Sequence, residues 1–304
     1  MALQSEVWVN DIEEKLFEGS EFVNRSMNHD AFIVNSTVHV PQSGTIPAVE
    51  KNRSSFPATA AERTDTELTY SVDSFTTDPI RVGDFDDLQT SYAKRQSVMS
   101  QHIEKISEEI GTQTAFNWAP EGNNTKVILT TGASTSLGPD GVTARKKIVT
   151  ADIAGAAQKL DKDKVSPTGR FLLMELSMYY ELFSIEELTR KDFMDRTSLP
   201  AGVIDRLFGF NIMVRPTTVI YDVSTPATPA LEAIGAAADA NSSFGCIGWQ
   251  QNYVAKALGS TGVFLDENDP LHYGSVMSAE VALGSSVLRN DTRVSGVVAI
   301  AQSA

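Results

Sequence analysis

The segment with the most organised chemistry in this chain is Val127-Ile128-Leu129-Thr130-Thr131-Gly132-Ala133-Ser134-Thr135-Ser136-Leu137-Gly138, an apolar strand-like run followed by a turn rich in glycine, serine and threonine. Glycines at a strand-to-helix turn let the backbone approach a dinucleotide pyrophosphate, so the reading it offers is a nucleotide-dependent oxidoreductase built on Gly132 to Gly138. Several residues argue against it. Ser136 stands where the middle glycine of such a turn belongs, Pro139-Asp140-Gly141 follows at once, and the nearest tyrosine and lysine, Tyr253 and Lys256, lack the spacing of a catalytic pair. A surface turn is the plainer reading. Cys246, with His272 downstream, could supply a nucleophile, but Phe244, Gly245, Ile247 and Gly248 offer no cation to lower a thiol pKa, and a buried structural cysteine is expected. His29, His39, His102 and His272 never fall at metal-ligand spacing. Asp266-Glu267-Asn268-Asp269 lacks the glycine and terminal glutamate of a calcium loop and reads as a solvated turn. No catalytic, cofactor-binding or metal residue is therefore predicted. One local basic excess remains, Lys51, Arg53 and Arg63, which serves either solubility or electrostatic docking on an acidic neighbour.

The elements that must carry these residues lie in a chain of 304 residues, 41% hydrophobic and 21% charged, with a formal net charge of −14. That length supports one large domain or two smaller ones. An acidic surface repels phosphates, so broad nucleic-acid binding by counterion release is not expected. A single cysteine leaves no internal disulfide framework. The first residues carry no basic leader and no stretch is apolar enough to span a membrane, so a soluble, unexported protein is predicted.

Trp8, Ile12 and Leu16, closed by Gly19, predict a short amphipathic helix in an acidic segment that lies on a surface and needs something to dock on. Phe32 to Val34 and Thr37 to Val40 predict strand, stopping at Pro41. From Gln42 to about Asp84 the composition turns polar, with period-two alternation over Glu67 to Asp73, which predicts an extended β-hairpin packed against another chain. Leu88, Tyr92, Met99, Ile103, Ile106 and Ile110 predict a helix over 86–110, ended by Gly111. Further on, a strand is expected at Lys126 to Thr130, a helix from Thr150 to Leu160, a buried strand at Phe171 to Met174, and a helix capped by Ser177. One more strand is expected from Asp205 to Val214, a helix from Trp249 to Leu258, and an alternating segment from Val276 to Ala301.

The order of these parts resembles the major capsid proteins of tailed bacteriophages with the Hong Kong 97-type fold. The resemblance is carried by Trp8, Ile12, Leu16 and Phe22 before Thr37-Val38-His39-Val40-Pro41, then by the hairpin and by Val82-Gly83-Asp84-Phe85-Asp86 leading into a long helix. It continues through Gly169-Arg170-Phe171-Leu172-Leu173-Met174, Leu207 to Val214, and Gly284-Ser285-Ser286-Val287-Leu288-Arg289. It implies an α+β Hong Kong 97-like capsid fold: an N-terminal arm and first strand (1–41), an extended β-hairpin loop (42–85), a peripheral domain with a spine helix (86–146 and 276–304) and an α/β axial domain (147–275). The implied function is a non-enzymatic shell subunit that assembles with copies of itself, as hexamers and pentamers, into an icosahedral shell around a double-stranded DNA genome, without cofactors, sequence-specific DNA binding or membrane contact. Its place would be the virion capsid, assembled in the host bacterial cytoplasm, with scaffolding, portal and decoration proteins as further partners. An encapsulin-like compartment shell shares the architecture. Trp8, Lys51, Arg53, Phe56 and Arg63 are the subunit contacts expected from the arm and the hairpin.

Overall fold

The computed structural model describes residues 21–42, 49–54, 56, 57, 60, 62, 65–83, 94–120, 126–185, 188, 204–269, 273–289 and 296–304. The expected arm helix around Trp8 lies outside them. The first half of the chain holds 3-10 turns at Glu21–Asn24 and Asp30–Phe32, the strands β1 (Met27–Asn28), β2 (Ile33–Val34), β3 (Thr37–Gln42), β4 (Thr66–Ser71), β5 (Asp73–Thr76) and β6 (Ile80–Gly83), then helix α1 (Lys94–Trp118), β7 (Val127–Leu129), β8 (Ser136–Leu137) and β9 (Ala144–Arg145). The second half holds α2 (Thr150–Lys162), β10 (Arg170–Glu175), α3 (Leu176–Leu182), β11 (Arg206–Leu207), β12 (Phe210–Arg215), β13 (Val219–Asp222), β14 (Ala230–Leu231), β15 (Ser242–Gln250), β16 (Val254–Asp269), β17 (Gly274–Val287) and β18 (Val297–Ala301).

Two large sheets organise these elements. In the first, β15 is paired on one side by β10 and then β13, and on the other by β18, which in turn pairs with β7. Every residue of β10 is buried, as expected of an apolar run in the middle of a sheet. Its parallel neighbour β12 is reached through α3. Helix α2 buries Ile153, Ala156 and Leu160 in the core on one face of this sheet. Glu175, not the expected Ser177, caps α3: its carboxylate accepts the amides of Ser177 at 2.7 Å and Met178 at 3.1 Å. The expected strand from Asp205 to Val214 is a tight hairpin, because Phe208 and Gly209 adopt φ of 47° and 86° and reverse the chain between β11 and β12.

In the second sheet β16 and β17 pair antiparallel from Val254↔Val287 to Asp269↔Gly274, with β5 and β6 docked in succession along the outer side of β17. The helix expected from Trp249 to Leu258 is instead the end of β15, a 3-10 turn at Gln251–Tyr253 and the start of β16. Val254, Ala255 and Ala257 gain complete burial through this long pairing, a tertiary contact that overrides local helical spacing. The acidic run at Asp266 to Asp269 is the end of β16 rather than a free turn.

Helix α1 joins the two sheets. Met99, Ile103, Ile106 and Ile110 pack on β5, β6, β16 and β17, while Ala115 and Trp118 enter the core of the first sheet. The helix passes through Gly111 instead of ending there. A mid-helix glycine costs about 1 kcal/mol against alanine, less than the burial of a fully enclosed tryptophan returns. Phe22 and Val23 correct a second expectation, since the acidic N-terminal segment was expected on a surface and these two side chains are core, while Glu21, Asn24, Arg25, Met27 and Asn28 are exposed. Phe22 is wedged edge-on between Trp118 at 5.7 Å and Trp249 at 6.1 Å, and the Trp249 indole donates to the Arg25 carbonyl at 2.9 Å.

Candidate subunit interface

The Gly132 to Gly138 turn has no nucleotide-binding geometry, which removes the oxidoreductase alternative. The segment leads into β8, which pairs with β9, so no helix N-terminus follows the turn to receive a pyrophosphate. Gly132 is needed for packing: a Cβ there would sit 2.4 Å from the Lys147 carbonyl oxygen. Cys246 is fully buried beside the Met178 sulfur at 3.4 Å, and burial pushes its thiol pKa up to about 12, leaving no nucleophile at neutral pH.

The structure separates the histidines. His39 contacts the Glu67 carboxylate at 2.7 Å across the β3–β4 pair. His29 is buried at the foot of that pair, where its Nδ1 lies 3.2 Å from the Tyr70 hydroxyl. His102 is buried on α1. Burial lowers the pKa of His29, with the neighbouring Asp30 acting in the opposite sense, and lowers that of His102. Burial first, and Asp30 second, push the Tyr70 hydroxyl upward. His272 lies outside the described residues.

The hairpin limb is built by β2, β3 and β4. Asn35 and Ser36, at φ of 52° and 59°, make the two-residue turn from β2 into β3. The β3–β4 register then runs from Thr37↔Ser71 to Gln42↔Thr66. Strand β3 continues through Pro41, where the prediction stopped it. The short β2 covers only Thr37 and Val38, so Pro41 has a neighbour on one side alone and its missing N–H breaks no ladder. Of the twelve residues in β3 and β4 only Val38 is buried. The ribbon is tied at both ends: by Tyr70 against His29 and the Val72 amide on the Ser36 carbonyl at 2.9 Å where it meets β2, and by the Gln42 side-chain amide on the Leu288 carbonyl at the other end.

Between β3 and β4 the described residues form no core. Val49 is 97% exposed and Phe56 is 79% exposed. Lys51 is exposed beside Asn52, which is in the left-handed conformation, and Arg53 is half-buried in an ion pair with Glu50 at 3.1 Å. The structure thus places Lys51, Arg53 and Phe56 on one limb; Trp8 and Arg63 lie outside the described residues. Val49 went unmarked in the sequence, although the short apolar run Ile46-Pro47-Ala48-Val49 inside a polar stretch is the signal that could have found it. The His29–Tyr70 contact joins residues 41 positions apart and had no local signal. A two-stranded ribbon with one buried side chain is marginal in water by itself and calls for a covering surface.

No family model and no curated protein matches this sequence. Solved structures do match. A structure from Mycobacterium phage Che8 aligns over 92% of this chain and 90% of its own at 16% identity, with a TM-score of 0.61. The capsid structure of cyanophage P-SCSP1u aligns over 91% of this chain and 85% of its own at 16% identity, with a TM-score of 0.64. The capsid of Ralstonia phage GP4 aligns over 95% and 90% at 11% identity, with a TM-score of 0.62. This chain has the phage capsid fold. The alignments span nearly the whole length of each chain. No described helix is long and apolar enough to cross a membrane.

Proposed function

We propose that this chain is the major capsid protein of a tailed phage, a structural rather than catalytic subunit that assembles with copies of itself into an icosahedral shell around double-stranded DNA. The observation that carries the reading is the limb: a ribbon in which Val38 alone of the residues of β3 and β4 is buried, with Val49 and Phe56 in solvent on the connection between the two strands. Such a ribbon gains its missing burial from a neighbour, at about 25 cal/mol per Å² removed from water. The capsid fold of the solved neighbours supports the same conclusion. In this reading the unit built on β10 and β15, which takes β7 and β18 from the stretches expected to be peripheral (86–146 and 276–304), lies toward capsomer centres, and the unit built on α1, β16 and β17, which takes β16 from the expected axial span of 147–275, lies toward their edges. Repetition around closed rings lets many modest contacts hold the shell. Lys51, Arg53 and Phe56 are contact residues, joined by Trp8 and Arg63.

Electron microscopy of the purified recombinant chain tests this reading, with closed shells or capsomers expected. Deleting residues 50–66 should leave a folded monomer, by circular dichroism and sedimentation, that no longer assembles. Normal shells from the deletion variant refute the role of the limb.

A further inference from the structure

Arg215, the last residue of β12, is a cation taken out of water without a matching acid. It is 7% exposed. Its Nη2 donates to the Glu108 carbonyl at 2.6 Å and to the Thr112 hydroxyl at 3.0 Å, both on α1, and its Cζ lies 5.9 Å from the centre of the Phe22 ring. These partners are dipoles and a π face. No carboxylate among the described residues pairs with the guanidinium, and the Glu108 carboxylate is taken by Lys105 at 2.7 Å. Nη1 has no hydrogen-bond partner at all. Burial, opposed by Glu108 and Glu109, draws the guanidinium pKa below its ordinary value. Arginine is almost never buried this far unless paired, because an uncompensated charge away from water is costly.

Arg215 also lines a cavity of about 330 Å³, with Phe22, Leu173, Ile212 and Met213 as apolar walls and the exposed residues Glu21 and Val214 completing the lining. We propose that this cavity is a binding site for a small oxyanion, a phosphate or a carboxylate, that accepts from Nη1 of Arg215. Three features choose the ligand. The orphaned Nη1 carries two N–H groups and a share of a full positive charge, which an anionic oxygen satisfies and a neutral one satisfies only in part. The volume stands at the small end of ligand pockets. The apolar walls keep the local dielectric low, which strengthens the attraction between guanidinium and anion. Glu21 acts against it, so its carboxylate limits the affinity. The bound anion sits where the Glu21–Asn24 turn, β12 and α1 converge, at the seam between the two large sheets.

Thermal unfolding of the full-length chain tests it, in dilute solution, so that the outcome does not depend on the shell-subunit reading. Inorganic phosphate, titrated against chloride at equal ionic strength, should raise the midpoint along a saturating curve by about 2 °C or more. Exclusion of phosphate from protein surfaces also stabilises, but without saturation and in every variant alike. Acetate, run the same way, sorts the ligand class: a saturating rise with acetate as well supports a general oxyanion site, and a rise with phosphate alone supports a phosphate site. Arg215→Gln should abolish the saturating rise. Glu21→Gln, at an exposed position, should lower the phosphate concentration at half effect by about threefold. A rise that never saturates, or one that survives Arg215→Gln, overturns the site. Should Arg215→Gln fail to fold, the wild-type curve and the Glu21→Gln variant decide between them, and an unshifted half-effect concentration overturns the site.

Discussion

At the scale of single residues, the buried titratable groups make the sharpest expectations. Cys246 has its thiol pKa pushed up to about 12 by burial, so native protein at pH 8 should not react with a disulfide reagent and should release one equivalent only after denaturation. Rapid labelling of the native chain contradicts that burial. His29 and His102 both titrate below their ordinary value of 6.5 when folded. The unfolded chain therefore takes up protons first as pH falls, and the stability these imidazoles leave intact above pH 6.5 is lost as pH drops toward their lowered folded values. Urea midpoints measured between pH 7.5 and 5.0 should decline, and the His29→Asn/His102→Asn variant should show a shallower slope; an identical slope removes these residues as the cause. Phe22 belongs to the same scale. Truncating a ring wedged between Trp118 and Trp249 to alanine should cost about 3–5 kcal/mol in chemical denaturation. A loss below about 1 kcal/mol would mean that Phe22 is not core.

At the scale of elements, backbone geometry decides what side chains can follow. The β11–β12 turn holds Phe208 at φ 47°, a conformation that asparagine tolerates and a bulky aromatic does not. Phe208→Asn should stabilise the chain by about 1 kcal/mol, read as a raised thermal midpoint, unless the exposed ring has contacts in an assembly. Gly132→Ala should destabilise it by about 1–3 kcal/mol through the clash with the Lys147 carbonyl. Some elements were legible because local pattern and burial agree: Phe171 to Met174 is a buried strand, and Ile153 and Leu160 mark the inner face of α2. Others were not. Trp249 to Leu258 has helical spacing, but pairing of β16 with β17 along their length outweighs it. Gly111 marks a stop only if the following turns have nothing to bury, and Trp118 does. Alternation over Glu67 to Asp73 marked strand β4, but the hairpin expected over 42–85 is built differently: β4 pairs back with β3, and β5 and β6 dock on β17, a long-range pairing with no local signal. The cleft beside α1 was not legible either, because Phe75, Ile80, His102 and Ile106 are brought together by the docking of β5 and β6 beside α1.

At the scale of the whole molecule, a net charge of −14 bears on what a shell of this protein encloses. Purified empty shells should bind duplex DNA weakly at physiological salt, since there is little basic surface from which counterions could be displaced. Tight, salt-sensitive retention in a filter assay would show a concentrated basic lining instead. Composition, charge and the order of apolar segments determined that the chain has a large core, that its central strand and helix α2 exist, and that one polar limb cannot satisfy itself, because each of these depends on residues near in sequence. Tertiary structure alone decided that Phe22 and Val23 plug an aromatic core, that α1 runs on to bridge two sheets, and that a cleft opens beside His102. These depend on contacts between residues far apart along the chain, whose burial energy exceeds the local preferences that sequence patterns report.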